Sequence, residues 1–366
     1  MSKRLLVLIG VGIVVIAAAV VWRSWHDRAK QRAEQNTALL RAIESGDADT
    51  VESLLDDRAA VNATDEAWGT PLHFAARKGN VEIAKLLIER GADVNARAKE
   101  NETYWTPLHG ASAFGHGEMI ELLIAHGADV NANTPNFGTP LVCAAGAGRE
   151  RIVELLVSKG ADVNLTATVS GTTPLLMAAG HDHVETARWL LDHGADPNSA
   201  SVSGSTPLSM AAGHENDEMI NLLVAHGAEY TLSVAASRGD IAKVRELLAG
   251  GGDPNAQDEQ GRTALYYAVR RNQVAAAEAL IAAGADAKVL FQHGGGLLNY
   301  AASLGNEDMV RLLIEAGADV NAPGTGPLGS SMTPLDEALA RRHEKVAEIL
   351  RAHGAKRSRE LGDGPQ

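Results

Sequence analysis

Two short strings return along this chain at a nearly fixed step, and that recurrence constrains its fold more than any other feature. Thr-Pro-Leu begins at Thr70, Thr106, Thr139, Thr173, Thr206 and Thr333, with the variant Thr263-Ala264-Leu265. Gly-Ala-Asp begins at Gly91, Gly127, Gly160, Gly194, Gly284 and Gly317, with Gly227-Ala228-Glu229 close to it. Alignment on both strings gives ten units, starting at Thr37, Thr70, Thr106, Thr139, Thr173, Thr206, Tyr230, Thr263, Gly296 and Thr333. A period near 33 residues marks an array in which no unit can hide its apolar face alone and neighbours bury one another.

Each part of the unit has a local reason. The threonine hydroxyl caps a first helix, and proline at the next position has a preset φ and no N–H to leave unpaired. Alanine pairs such as Ala75-Ala76 and Ala144-Ala145 let neighbouring helices approach closely. A glycine such as Gly79 or Gly115 ends that helix, and a second runs through a leucine pair, Leu86-Leu87 or Leu122-Leu123. Gly91 and its equivalents supply the left-handed residue past the second helix, and Asp93 and Asn95 suit the tight turn that follows. The pattern resembles the ankyrin repeat: Thr70-Pro71-Leu72-His73-Phe74-Ala75-Ala76 and Thr106-Pro107-Leu108-His109-Gly110-Ala111 fit the Thr-Pro-Leu-His-x-Ala signature, and Gly91-Ala92-Asp93-Val94-Asn95 fits the ending. The resemblance covers residues 37–355. It implies an all-α ankyrin-repeat solenoid of about ten helix-turn-helix units with β-hairpin fingers. It also implies protein–protein recognition through the fingers and inner helices, with the partner unnamed. Two departures are local. The seventh unit starts only 24 residues after the sixth, so its finger should be missing, and Asp182, Glu215 and Asn272 replace the glycine between helices.

Four residues after each start lies a position that is mostly apolar inside the array, but Arg41 in the first unit and Glu337 in the last. Charge there fits solvent-facing terminal repeats and an array complete at both ends. Residues 356–366 read as a polar tail, expected to fray. Before the repeats, residues 1–4 form a short tail, and Leu5 to Trp22 is an 18-residue run without a charge. That length suits a transmembrane helix, followed by a basic juxtamembrane linker over 23–36. A cleaved signal peptide ending near Ala17-Ala18-Ala19 is the alternative. The expectation is a single-pass membrane protein anchored through Leu5–Trp22. The flanking charges point both ways, and the balance tips toward exported (periplasmic or extracellular) repeats.

Asp and Glu exceed Lys and Arg by 46 to 33, and residues 37–355 alone carry a net charge of −18. Such a balance excludes phosphate-backbone recognition, so no nucleic-acid partner is expected. Chemistry is also scarce. There is no Gly-x-Ser-x-Gly, no phosphate loop and no His-Glu-x-x-His, so neither an enzyme nor a cofactor is expected. His126, His193, His226 and His353 are one repeat position seen four times, at a helix end that favours a partly protonated ring. A metal or catalytic role for these His-bearing turns is the disfavoured alternative. The single cysteine, Cys143, falls at the mostly apolar position and reads as a small buried residue. What varies between units is more informative. Two positions before threonine, later units carry Gly171, Gly204 and Gly261, whereas units two to four carry Trp68, Tyr104 and Phe137, with Trp105 as a second ring. In a chain only 4% aromatic, rings on three consecutive fingers suggest a binding patch for a protein partner. Arg77, Lys78 and Phe114, late in first helices, are expected to extend it along the inner wall.

Overall fold

A computed structural model describes residues 22–23, 26, 30–31, 33–56, 61–64, 69–98, 104–135, 137–214, 216–258, 261–289, 295–325 and 331–361. The chain divides into two compact units, Met1–Pro174 and Leu175–Gln366.

In the first unit the helices are α1 (33–45), α2 (Ala48–Asp56), α3 (Pro71–Lys78), α4 (Val81–Glu89), α5 (Pro107–Phe114), α6 (Gly117–Ala125), α7 (Pro140–Gly146) and α8 (Glu150–Ser158). They pair as α3–α4, α5–α6 and α7–α8. The first helices stack, α3 on α5 and α5 on α7, while α4 packs on α2 and α6. Thr70, Thr106 and Thr139 hold the extended backbone of a helix cap, each with proline at the next position. Thr37 does not follow suit: it lies inside α1, and its hydroxyl donates to Ala33 O at 2.9 Å. The core is aliphatic. Leu72, Leu87, Leu108, Leu123, Leu141 and Leu156 are fully buried, each contributing roughly 1.5–3 kcal/mol. Ala75, Ala76, Ala144 and Ala145, also fully buried, keep the stacked helices close. Gly79 sits where glycine is favoured, because its φ is +74° and a Cβ there would sit 2.6 Å from the His116 ring, whose Nε2 donates to Arg77 O at 2.9 Å.

The residues after each second helix clasp one repeat to the next. Asn62 Nδ2 donates to Gly91 O, and its Oδ1 accepts from Asp93 N. Asn95 repeats both bonds on Gly127 and Asp129, and Asn131 on Gly160 and Asp162. The asparagine assigned to a local turn is thus an inter-repeat bridge, and Asp93 makes the turn by accepting from Asn95 N at 2.9 Å.

The second unit opens within α9 (Pro174–Gly180) and continues through α10 (Val184–Asp192), α11 (Pro207–Gly213), α12 (Asp217–Ala225), α13 (Leu232–Arg238), α14 (Ile241–Ala249), α15 (Ala264–Arg270), α16 (Val274–Ala282), α17 (Leu297–Leu304), α18 (Glu307–Glu315), α19 (Pro334–Ala340), α20 (Glu344–Ala352) and α21 (Ser358–Leu361). First helices α11, α13, α15, α17 and α19 stack in order. The fingerless seventh repeat is present: α13 begins directly after the Gly227 turn, capped by Thr231 rather than Tyr230, with Val234 N donating to its hydroxyl at 3.3 Å. Asp182 and Asn272 adopt left-handed φ of +60° and +59°, doing glycine's work at some conformational cost. Asp182 is held there by Asn216 Nδ2 and His214 Nδ1, both at 3.0 Å. Glu215 lies outside the described residues.

The all-α class stands, with the fingers less regular than expected. Among the described residues the only paired strands are β1 (Gly324–Thr325) and β2 (Ser331–Met332), antiparallel with Gly324 opposite Met332. The fourth repeat's finger is a single bridge between Thr134 and Gly138.

The membrane-spanning expectation is corrected. Among the described residues no helix is long and apolar enough to cross a membrane. The described helices after Trp22 are short or carry charge, as at the Lys30–Glu34 pair, and the apolar run itself is at the short end of what spans a bilayer. Positions 5–21 lie outside the described residues. The single-pass assignment through Leu5–Trp22, and the exported placement built on it, therefore do not stand.

Candidate functional site

The finger of the third repeat is fixed by its main chain before its rings matter. Ala98 N donates to Trp105 O at 2.8 Å, and His73 Nε2 reaches the same carbonyl at 2.9 Å from the preceding repeat. With Trp105 so pinned, its ring lies against His109 (6.2 Å, 21° between planes) and meets Phe137 of the next finger edge-on (5.9 Å, 87°). Edge-to-face contacts of this kind contribute roughly 0.5–1.5 kcal/mol beyond burial. Trp105 is half-buried and its Nε1 is buried with no partner among the described residues, while Phe137 leaves 44% of its surface open. The fifth finger joins by main chain: Val169 N donates to Pro135 O at 2.9 Å, and Val169 is 59% exposed. Three fingers therefore offer an apolar ridge of Trp105, Phe137 and Val169.

The expected patch is only partly assembled. Tyr104 is half-buried beside Trp105, with φ of +54°. Trp68 lies outside the described residues. Phe137 does not replace the finger glycine, as the alignment implies: Gly138 (φ +73°), one place later, takes the left-handed conformation, as Gly69 (φ +94°) does in its own finger. Among the described finger residues, Tyr104 puts a side chain on that backbone. Arg77 is half-buried over the Phe74 ring at 5.7 Å, and Lys78 is exposed. Phe114, 49% exposed, sits at the far end of α5, about 12 Å along the helix from the finger. There it rims a depression of about 650 Å³ with Gly117, Ile152 and Leu155. It belongs to a different surface from the ring pair.

The histidines are structural in geometry. His73 and His109 each accept the capping threonine's N–H on Nδ1 (3.1 Å) and donate from Nε2 to the next finger's carbonyl, Trp105 O or Gly138 O. Burial holds the His73 ring below its ordinary range and pushes His109 down to about 4. Both stay neutral at neutral pH, the form these bonds need. His126, His193, His226 and His353 donate from Nδ1 to the carbonyl four residues back, tying off the helix end. Among the described residues no three His, Cys, Asp or Glu side chains are grouped to hold a metal. Cys143, expected to be buried, is half-buried, and desolvation of its thiol lifts it to about 12, far from thiolate reactivity at neutral pH.

A second aromatic group went unread in the sequence. Tyr266 meets both Tyr267 and Tyr300 edge-on at 5.4 Å. Tyr267 OH donates to Asp258 Oδ2 (2.7 Å), which also accepts from Arg262 Nε (2.8 Å), and the Arg262 guanidinium lies 5.2 Å over the Tyr267 ring. Burial raises the Tyr267 hydroxyl, and its bond to Asp258 adds to the rise. Tyr267 and Tyr300 occupy the mostly apolar repeat position, so periodicity reads both as core. Yet Tyr267 is 3% exposed and Tyr300 38%.

Comparison with known proteins agrees with this geometry. A family model described as ankyrin repeats (3 copies) matches residues 14–98, 96–167, 165–233 and 232–324, and one described as ankyrin repeats (many copies) matches 298–351. Similar proteins include the 2-5A-dependent ribonuclease of Mus musculus, 41% identical over 71 residues (19% of this chain, 10% of that protein). The palmitoyltransferase AKR1 of Lachancea kluyveri is 53% identical over 57 residues (16% and 8%). The ankyrin repeat domain-containing protein 49 of Bos taurus is 40% identical over 75 residues (20% and 32%). The matched stretches thus span between 8% and 32% of these relatives' lengths.

Proposed function

Since this chain belongs to the ankyrin-repeat family, we propose that it acts by binding another protein, as a scaffold, adaptor or inhibitor, and that the ridge of Trp105 and Phe137 is its principal contact. The observation that carries the reading is the ring pair itself. A fold that is 4% aromatic sets Phe137 edge-on to Trp105 and leaves it 44% open to solvent. Large rigid rings anchored from beneath are what interface centres are made of, because they bring area with little entropy to lose. Tyr104 and Val169 flank the pair, whereas Arg77 and Lys78 close α3 at the end that Phe114 holds on α5, away from the fingers. The relatives named as enzymes are matched over a small part of their length, and nothing in the ridge is reactive. Binding without chemistry is therefore the favoured reading.

The test is Phe137→Ser with Trp105→Phe, which removes the exposed ring and shrinks its support. Proteins captured from native extract by the wild-type chain should be lost from this variant and retained by Tyr300→Ser, with circular dichroism unchanged in both. Equal capture by all three proteins would refute the ridge as the contact.

A further inference from the structure

In three repeats the third residue of the first helix reaches forward to the next finger as a donor. His73 Nε2 meets Trp105 O, His109 Nε2 meets Gly138 O, and Asn299 Nδ2 donates to Met332 O at 3.0 Å. In each case the acceptor is the carbonyl just before the next repeat's first residue. The equivalent position in α19 is Asp336, a carboxylate that can only accept. The chain after Ala355 supplies what it needs. Ser358 N donates to Asp336 Oδ2 at 2.7 Å and Arg357 Nε to Oδ1 at 2.8 Å. Thr333 Oγ1 donates to Lys356 O at 2.8 Å, and Lys356 N donates to Asn321 Oδ1 at 2.7 Å, the place Asp93 N takes on Asn62. Arg357 N is then capped by Glu360 Oε2 at 3.1 Å, which starts α21.

We propose that residues 356–361 are a strap that lies where the finger of a following repeat would lie, and that Asp336 is its latch. The geometry reverses the sense of the edge. A repeat finger presents a carbonyl at this spot, which a histidine or asparagine welcomes and a carboxylate repels, so Asp336 holds the strap and rejects another finger, including one from a second copy. Asp336 is 7% exposed and the strap leaves it no unanswered oxygen. Charge-assisted bonds of this kind are among the stronger ones a fold makes. The segment expected to fray is thus fastened at four points.

Limited trypsin digestion of the full chain, read by mass spectrometry at the Arg359–Glu360 bond, tests the latch. Wild type should be cut there at least tenfold more slowly than a free peptide of the same sequence. Asp336→Asn, which restores the side chain that Asn299 uses, should be cut nearly as fast as the peptide, while Lys345 and Arg351 in α20 stay protected. Arg357→Gln, which keeps the carboxylate, should fall between. Wild-type cleavage at the peptide rate, or an Asp336→Asn strap as protected as wild type, would overturn the proposal. So would Asp336→Asn cleavage at Lys345 and Arg351 as fast as at Arg359, since Asp336 would then hold the repeat and not the strap.

Discussion

Replacing His109 by asparagine should make the first unit less sensitive to acid without loosening it at neutral pH. His109 is fully buried, accepting Thr106 N–H on Nδ1 and donating from Nε2 to Gly138 O at 3.0 Å. Protonation of Nδ1 would break the first bond and bury a charge, which is why burial depresses this ring from 6.5 to about 4. The sign follows directly. Between these two values the unfolded chain binds a proton that the folded chain refuses, so stability is fully present above pH 6.5 and falls as the solution is acidified toward pH 4. For that interval the loss is about 2 kcal/mol at pH 5 and about 3 kcal/mol at pH 4. The ninth repeat supplies the control: Asn299 accepts Gly296 N and donates to Met332 O with no proton to gain. His109→Asn should therefore match wild type in urea denaturation at pH 7 and exceed it by about 2 kcal/mol at pH 5. Because repeat arrays can unfold in parts, hydrogen exchange of the α5 amides should be followed alongside circular dichroism. His73, shifted in the same direction, is present in both proteins and cancels. Identical acid sensitivity in the two proteins, or an NMR titration of His109 near 6.5, would refute the reasoning.

Tyr104 holds a left-handed φ of +54°, a conformation costing roughly 1–2 kcal/mol for a side-chain-bearing residue. In thermal unfolding Tyr104→Gly should be at least as stable as wild type, and Tyr104→Val, stiff at its branched Cβ, should lose about 1–2 kcal/mol. Cys143, raised to about 12 by burial, should resist iodoacetamide at pH 8 in the folded chain and react at once in urea. Fast alkylation of the native protein would show that the thiol is open.

The architecture was legible because its signals are periodic. Each Thr-Pro-Leu, alanine pair and Gly-Ala-Asp recurs, so the helix pairs and the missing seventh finger follow from spacing alone. What spacing did not carry is which residue bears a backbone burden. Gly138, one place away from the aligned position, takes the left-handed turn and frees Phe137 from it, and a one-residue offset is invisible to a repeat count. Phe114 was placed with the rings because it shares a helix with the inner wall, but it stands at the helix's opposite end. Tyr300 shares the mostly apolar repeat position with Tyr267 yet is far more exposed, because repeats share positions without sharing neighbours. Asn95 looked like a turn residue because its contacts with Gly127 and Asp129 lie a whole period away, beyond the reach of local reasoning. The apolar run at the N-terminus had length and composition in favour of a membrane helix, and those two properties alone do not distinguish a bilayer from other apolar surroundings.

The asparagine clasps have a consequence for how such a chain can change. The clasps at Asn62, Asn95 and Asn131 each join the same two atoms of one module to the same two groups of its successor, whereas the eighth repeat carries Lys288 at that place. Excising or duplicating one whole period between these three points would leave each hook facing an eye of identical shape. A cut out of phase would strand both halves. The chain is therefore editable in length by whole modules, and its strictest grammar is written at the joints.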